Sequence, residues 1–108
     1  MIQVRLFRNK SKKICGFHIE NHGSGIVCAA VSILALNTVN SIEKFTDDDF
    51  KCTHLASGGF IKFMHTKLAA NEEAHDAELL LKSFSLGLHG IQDEYKNDII
   101  IKTEGIKK

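Results

Sequence analysis

Apolar and polar residues alternate in the first part of the chain, over residues 2–8 and again over residues 13–19. Successive side chains of a strand point to opposite faces of a sheet, so both segments predict strands with one buried face. The polar stretch between them predicts a hairpin turn. The apolar positions of this pattern are Ile2, Val4, Leu6, Cys15, Phe17 and Ile19.

The pattern changes over residues 26–45, where apolar side chains surround a helix instead of forming one stripe. Such a helix has to be covered on both sides. A sheet can cover one side, and a second helix or a partner subunit can cover the other. The sequence therefore predicts a homodimer.

Two further strands are expected at residues 50–56 and 60–66, joined by a turn at Ser57, Gly58 and Gly59. Asn71 is expected to cap a second long helix, with Glu72 and Glu73 in its first turn. Residues 99–103 predict a last strand. The order β-β-α-β-β-α-β gives an α+β fold, with two helices packed on a mostly antiparallel sheet in one domain over residues 1–108.

Composition excludes several classes of protein. Hydrophobic residues make up 44% and charged residues 25%, as in ordinary globular proteins. The net charge is +1 and the lysines are dispersed, so we expect no direct nucleic-acid partner. The first residues lack the apolar core of a signal peptide, and no stretch approaches about twenty apolar residues. We therefore expect a cytoplasmic protein without a membrane partner.

Three cysteines form an odd count without C-x-x-C spacing, which predicts neither a disulfide framework nor a zinc site. The six histidines have no H-x-x-x-H spacing. We expect no metal and no cofactor. One of the cysteines is then a candidate for a working thiol.

The segment over residues 16–32 is predicted to run from a strand through a short loop into a helix. His22 falls in the loop, and Cys28 falls close to the helix start, where unpaired backbone N–H groups and the helix dipole favour a thiolate. A nearby imidazolium lowers a thiol pKa further. The same N–H groups can hold the oxyanion that forms when a thiolate attacks an amide carbonyl.

Other interpretations of these residues remain open. Cys28 in an apolar helix is often a small core residue, and Cys15 and Cys52 in strand patterns are best explained that way. Glu20 is either a surface charge or the partner that orients His22. His18 competes as the base, but on a regular strand it would lie about 13 Å before His22.

This segment resembles the ribosomal-processing cysteine protease family, Prp, whose pattern is roughly G-F-x-[IV]-x-G-H-A, a variable loop, then [IV]-C-A-x-V-S. Residues 78–101 also resemble the second helix and last strand of that family. The matching motif positions are Gly16, Phe17, Ile19, His22, Val27, Cys28, Ala29, Val31 and Ser32.

The resemblance implies a dimeric cytoplasmic endopeptidase that removes an N-terminal extension from a large-subunit ribosomal protein during ribosome assembly. It implies Cys28 as nucleophile, His22 as base and Ser32 as a residue that helps to shape the site. The chain has Gly25 where the family has an aspartate, and its loop is short. These departures favour a second hypothesis, a ribosome-assembly protein that binds the tail without cutting it. A redox sensor that uses Cys28 and Cys15 is a third.

Overall fold

A computed structural model describes the protein over residues 1–20, 25–54 and 60–106. Five strands form one sheet, in which the third strand along the chain is followed by the fourth, the second, the first and the fifth. The α+β prediction is confirmed. The predicted turn at 57–59 lies outside the described residues. The elements are β1 (Ile2–Arg8), β2 (Ile14–Glu20), α1 (Ile26–Phe45), β3 (Phe50–His54), β4 (Phe60–His65), α2 (Thr66–Ala69), α3 (His75–Glu94) and β5 (Ile99–Gly105).

Most of the sheet is antiparallel, as predicted. Strand β1 pairs with β2, β2 with β4 and β4 with β3 in antiparallel register. Strand β5 alone, among the described strands, pairs in parallel, along β1. A parallel pair needs a long connection, and β1 and β5 are separated by all the other elements of the chain, of which α3 is the last before β5.

The core lies between the sheet and the two long helices. Phe17 points from β2 towards α3, where its ring centroid lies 4.4 Å from that of Phe84. It also stacks on Phe63 of β4, with 5.3 Å between centroids. Because strand side chains alternate, the neighbours of Phe17 point to the opposite face of the sheet, away from α1 and α3.

The predicted start of the second helix is wrong. Asn71 has φ 62°, and its Oδ1 accepts hydrogen bonds from the backbone N–H and the hydroxyl of Ser11. Asn71 therefore closes the short helix α2, which the sequence pattern did not predict. Glu72 and Glu73 precede helix α3 instead of forming its first turn. Asp76 and Glu78 occupy that first turn, so acidic residues still lie beside the positive end of the dipole.

The acidic run at residues 47–49 is more than the solvated turn that composition suggests. Asp48 Oδ2 lies 2.9 Å from Nε2 of His65, a fully buried histidine. His65 Nδ1 accepts the backbone N–H of Leu68, so the ring proton lies on Nε2 and is donated to Asp48. This hydrogen bond between His65 and Asp48 holds the connection between α1 and β3 against the end of β4.

Among the described residues, helix α1 is covered on one side only. Its buried residues join the core cluster, and α1 packs against α3. Ile33 remains 69% exposed on the outer side. By length and composition alone α1 is also apolar enough to cross a membrane, contrary to the sequence-based expectation, but a core helix meets the same test.

Candidate active site

Cys28 is the third residue of α1, which begins at Ile26. Gly25 precedes the helix with φ 91° and ψ −164° and makes no side-chain cap. The first backbone N–H groups of a helix lack intrahelical acceptors. No acidic residue lies in the first turn of α1, which falls within the described range, so no carboxylate offsets the positive end of the dipole there.

The burial of Cys28 suits a working thiol. The residue is half-buried and packs against the core beside the buried Val27 and Val31. The helix anchors its backbone while part of the side chain remains accessible. The unpaired backbone N–H groups at the start of α1 lie beside this position and can donate to a reacting group.

The other two thiols have different surroundings. Cys15 is fully buried in β2, and its Sγ lies 3.5 Å from the carbonyl oxygen of Phe7. Cys52 lies on edge strand β3, where desolvation raises the pKa of its thiol although much of the residue is exposed. Among the three, Cys28 alone combines a helix N-terminus with partial exposure.

His22, the predicted base, lies outside the described residues, as do its neighbours in the 21–24 segment. The described chain leads to this segment from both sides, because β2 ends at Glu20 and α1 begins at Ile26. His22 as the base therefore stays a prediction. Ser32 follows Cys28 by one helical turn and is half-buried, on the same side of α1.

Glu20 and His18 point away from Cys28. Both alternate with Phe17, which faces the helices, so both lie on the opposite face of the sheet. There the Glu20 carboxylate lies 3.6 Å from Arg5 and 3.8 Å from Nδ1 of His18. These contacts favour the surface-charge interpretation of Glu20. They also agree with the choice of His22 over His18.

The His18 ring has an unusual environment on that face. Its centroid lies 4.8 Å from that of Phe60 in an edge-to-face contact. Its Nε2 is buried without a hydrogen-bond partner among the residues that are described. Burial lowers the pKa of His18, and the charges of Arg5 and Lys62 act in the same direction, while Glu20 opposes them.

Sequence reasoning assigned no role to His65, although with Asp48 it has the carboxylate–imidazole geometry of many catalytic sites. The signal available in the sequence was weak, because the two residues are far apart in the chain. Both ring nitrogens of His65 are already used within the protein. The pair is structural. Within the described ranges, no cluster of histidine, cysteine and acidic residues could hold a metal ion.

Comparisons with known proteins find relatives of almost the whole chain in one protein family. The sequence model of a family described as Cysteine protease Prp matches residues 1–100. The Ribosomal processing cysteine protease Prp of Bacillus subtilis is 25% identical over 109 residues, which cover 95% of this chain and 97% of that protein.

Solved structures give the same fold. A crystal structure of the ribosomal processing protease Prp from S. aureus, in complex with a covalently linked product peptide, has a TM-score of 0.87 at 24% identity and covers 96% of this chain and 100% of that one. A crystal structure of a protein from Streptococcus mutans has a TM-score of 0.82 at 26% identity, covering 98% of this chain and 96% of the other.

Proposed function

Since the chain belongs to the cysteine protease Prp family, we propose that it is the endopeptidase that removes the N-terminal extension of a large-subunit ribosomal protein, with Cys28 as nucleophile and His22 as base. The observation that carries the site assignment is the position of Cys28, half-buried in the first turn of α1, a turn that lies within the described residues and contains no acidic side chain.

The reaction follows from that position. His22 takes the thiol proton, and Cys28 Sγ attacks the scissile carbonyl carbon. Backbone N–H groups at the start of α1 stabilise the oxyanion, an effect of about 3 kcal/mol per donor. His22 then protonates the leaving amine, which departs and leaves an acyl-enzyme on Cys28. Water, deprotonated by His22, attacks the thioester and releases the acid and the free thiol.

Intact-mass measurement of an extended ribosomal protein after incubation with the enzyme tests the proposal. The wild type should remove the extension. Cys28→Ala should leave the substrate mass unchanged while still binding it, because only a small side chain is lost. His22→Ala should cut roughly 10²-fold more slowly or worse, given typical acid–base contributions. Cys52→Ala is the matched control and should cut like the wild type.

The second candidate function is binding of the same tail without cleavage. Gly25 favours it, since the family resemblance places an aspartate there, and the backbone at φ 91° and ψ −164° suits glycine almost exclusively. An aspartate could not adopt this conformation without strain. If a folded, reduced wild type and Cys28→Ala bind the tail equally and neither changes its mass, the binding function is correct and the protease assignment fails.

A homodimer belongs to the proposal. The outer side of α1 and the neighbouring part of α3 form an apolar groove of about 370 Å³. The exposed side chain of Ile33 lines this groove. The groove is lined by Ala30, Ile33, Leu34, Asn37, Gly87 and Ile91. Sedimentation should give a dimer for the wild type and a monomer for Ile33→Glu. Leu79→Glu, which changes an exposed leucine of α3 outside the groove, should remain a dimer.

A wild type that sediments as a monomer near 12.0 kDa at micromolar concentration would overturn the dimer without affecting the cleavage test. The proposed substrate also sets the location, because ribosome assembly in bacteria takes place in the cytoplasm. We therefore propose a cytoplasmic enzyme.

A further inference from the structure

A row of basic side chains crosses the sheet face that lies opposite α1 and α3. The strand register aligns one residue from each strand, in a line perpendicular to the strands. Neighbouring strands lie about 4.8 Å apart, so the three steps from β4 to β5 span about 14 Å. From β4 to β5 the basic row consists of Lys62, His18, Arg5 and Lys102, and the uncharged Thr53 continues the line on β3.

The cations of this basic row are only partly neutralised. Arg5 is shared between Glu20 at 3.6 Å and Glu104 at 4.0 Å. Lys62 and Lys102 are exposed, and in the part of the chain that is described neither has a carboxylate within ion-pair distance. The face therefore keeps a positive charge, although the whole chain carries only +1.

An aromatic group stands beside the same row. Phe60 lies next to Lys62 on the same face, in edge-to-face contact with His18. The His18 Nε2 is buried and has no hydrogen-bond partner among the described residues, so the His18 ring contributes packing beside Phe60 and not a contact to a bound group. Basic side chains with adjacent rings on an open sheet are a general means of binding single-stranded nucleic acid, since phosphates pair with the cations and bases stack on the rings.

We infer that the basic row binds the phosphate backbone of single-stranded RNA. The inference rests on the proposed function, in which the substrate is a ribosomal protein and is therefore met beside RNA. An acidic peptide would satisfy the cations but would make no use of Phe60 as a stacking surface. The sequence-based expectation of no nucleic-acid partner relied on net charge, which does not reveal how the register gathers these side chains.

Fluorescence anisotropy with a labelled single-stranded oligoribonucleotide tests the inference. Three phosphate contacts predict a slope of log K against log salt of about −2, so affinity should fall about 20-fold between roughly 50 and 200 mM salt. The double variant Lys62→Glu/Lys102→Glu should lose at least about 10-fold in affinity and most of the salt dependence.

The matched control is Lys44→Glu/Lys82→Glu, which makes the same change in net charge at exposed lysines of α1 and α3. Its affinity should stay within about 3-fold of the wild type, because these lysines lie away from the row. An equal loss in both variants would overturn the inference, since net charge alone would then explain binding. So would absence of wild-type binding at about 50 mM salt.

Two other occupants of the face give distinct results. If a polyglutamate peptide of equal charge displaces the RNA at the same concentration, the partner is an acidic peptide and the inference is wrong. If Lys62→Glu/Lys102→Glu sediments as a monomer while the wild type is a dimer, the face is a subunit interface and the inference is again wrong. RNA binding is also measured with Cys28→Ala, in which cleavage is removed. Cleavage of free substrate is measured with Lys62→Glu/Lys102→Glu and should be unchanged. Failure of the protease assignment is therefore distinguished from failure of RNA binding.

Discussion

Replacement of Gly16 by alanine should destabilise the protein because there is no space for a Cβ atom at this position. Gly16 lies in β2 opposite Met64 of β4. A Cβ atom added to Gly16 would overlap the carbonyl oxygen of Phe63 and lie 2.8 Å from the Met64 sulfur. A side chain can move, but the carbonyl oxygen belongs to the neighbouring strand, so β2 and β4 would have to separate.

Overpacking of this kind costs about 1–3 kcal/mol. At about 2 kcal/mol the melting temperature should fall by roughly 8–16 °C in a chain of this size. Calorimetry and urea unfolding measure the change. The glycine belongs to the sequence motif shared with the protease family, and this contact gives it a structural reason that is independent of catalysis.

Two other glycines serve as controls for the same substitution. At Gly87 the nearest described atoms to an added Cβ atom belong to the flexible Leu34 side chain, at 2.8 Å, so Gly87→Ala should change stability little. At Gly90 in α3 no atom of the described residues lies within 4 Å of an added Cβ atom, and alanine should gain about 0.5–1 kcal/mol from helix propensity. If Gly16→Ala unfolds within about 0.5 kcal/mol of the wild type, the reasoning is wrong.

Three further perturbations have definite expected results. Iodoacetamide at neutral pH should modify Cys28 before Cys52, whose raised pKa leaves less thiolate, and faster labelling of Cys52 would contradict the nucleophile assignment. His65→Ala should lower the free energy of unfolding in urea by about 2–4 kcal/mol, because a cavity forms and the hydrogen bond to Asp48 is lost. An unchanged unfolding midpoint would refute the structural role of His65. Burial lowers the pKa of His18 below 6.5, so as the pH falls the unfolded chain binds a proton at His18 before the folded protein does, and stability should decrease as the pH drops through about 6.5. In a plot of melting temperature against pH, His18→Gln should reduce the slope in this range. A slope identical to that of the wild type would exclude His18 as the source of the pH dependence.

Local patterns predicted the elements of this fold, and long-range contacts decided what the patterns missed. The alternation around Phe17 placed β2 correctly, because burial of one sheet face fixes which residues face the core. Asparagine is a residue type that often caps helices, but Asn71 accepts hydrogen bonds from Ser11, which is distant in sequence, and lies before α3. A preference of about 1 kcal/mol for a cap is easily outweighed by such contacts.

The candidate site, like the fold, could be predicted only in part from local sequence patterns. The position of Cys28 at a helix start followed from the strand–loop–helix pattern and is confirmed by the fold, whereas His22 remains a prediction. The basic row could not be foreseen, since Lys62 and Lys102 become neighbours of Arg5 only through the strand register. Register depends on pairings between distant segments, which a linear pattern does not contain.

The parallel pairing of β1 with β5 bears on how the protein is made. Strand β1 acquires one of its two neighbours only when residues 99–105 are available, so this edge of β1 stays unpaired while the residues between β1 and β5 are synthesised. Such a contact between distant segments is slow to form, because the loop-closure entropy is lost before the strands pair. An unpaired strand edge is also a template for aggregation. The β1 edge of the nascent chain is therefore vulnerable to aggregation until β5 is synthesised and pairs with it.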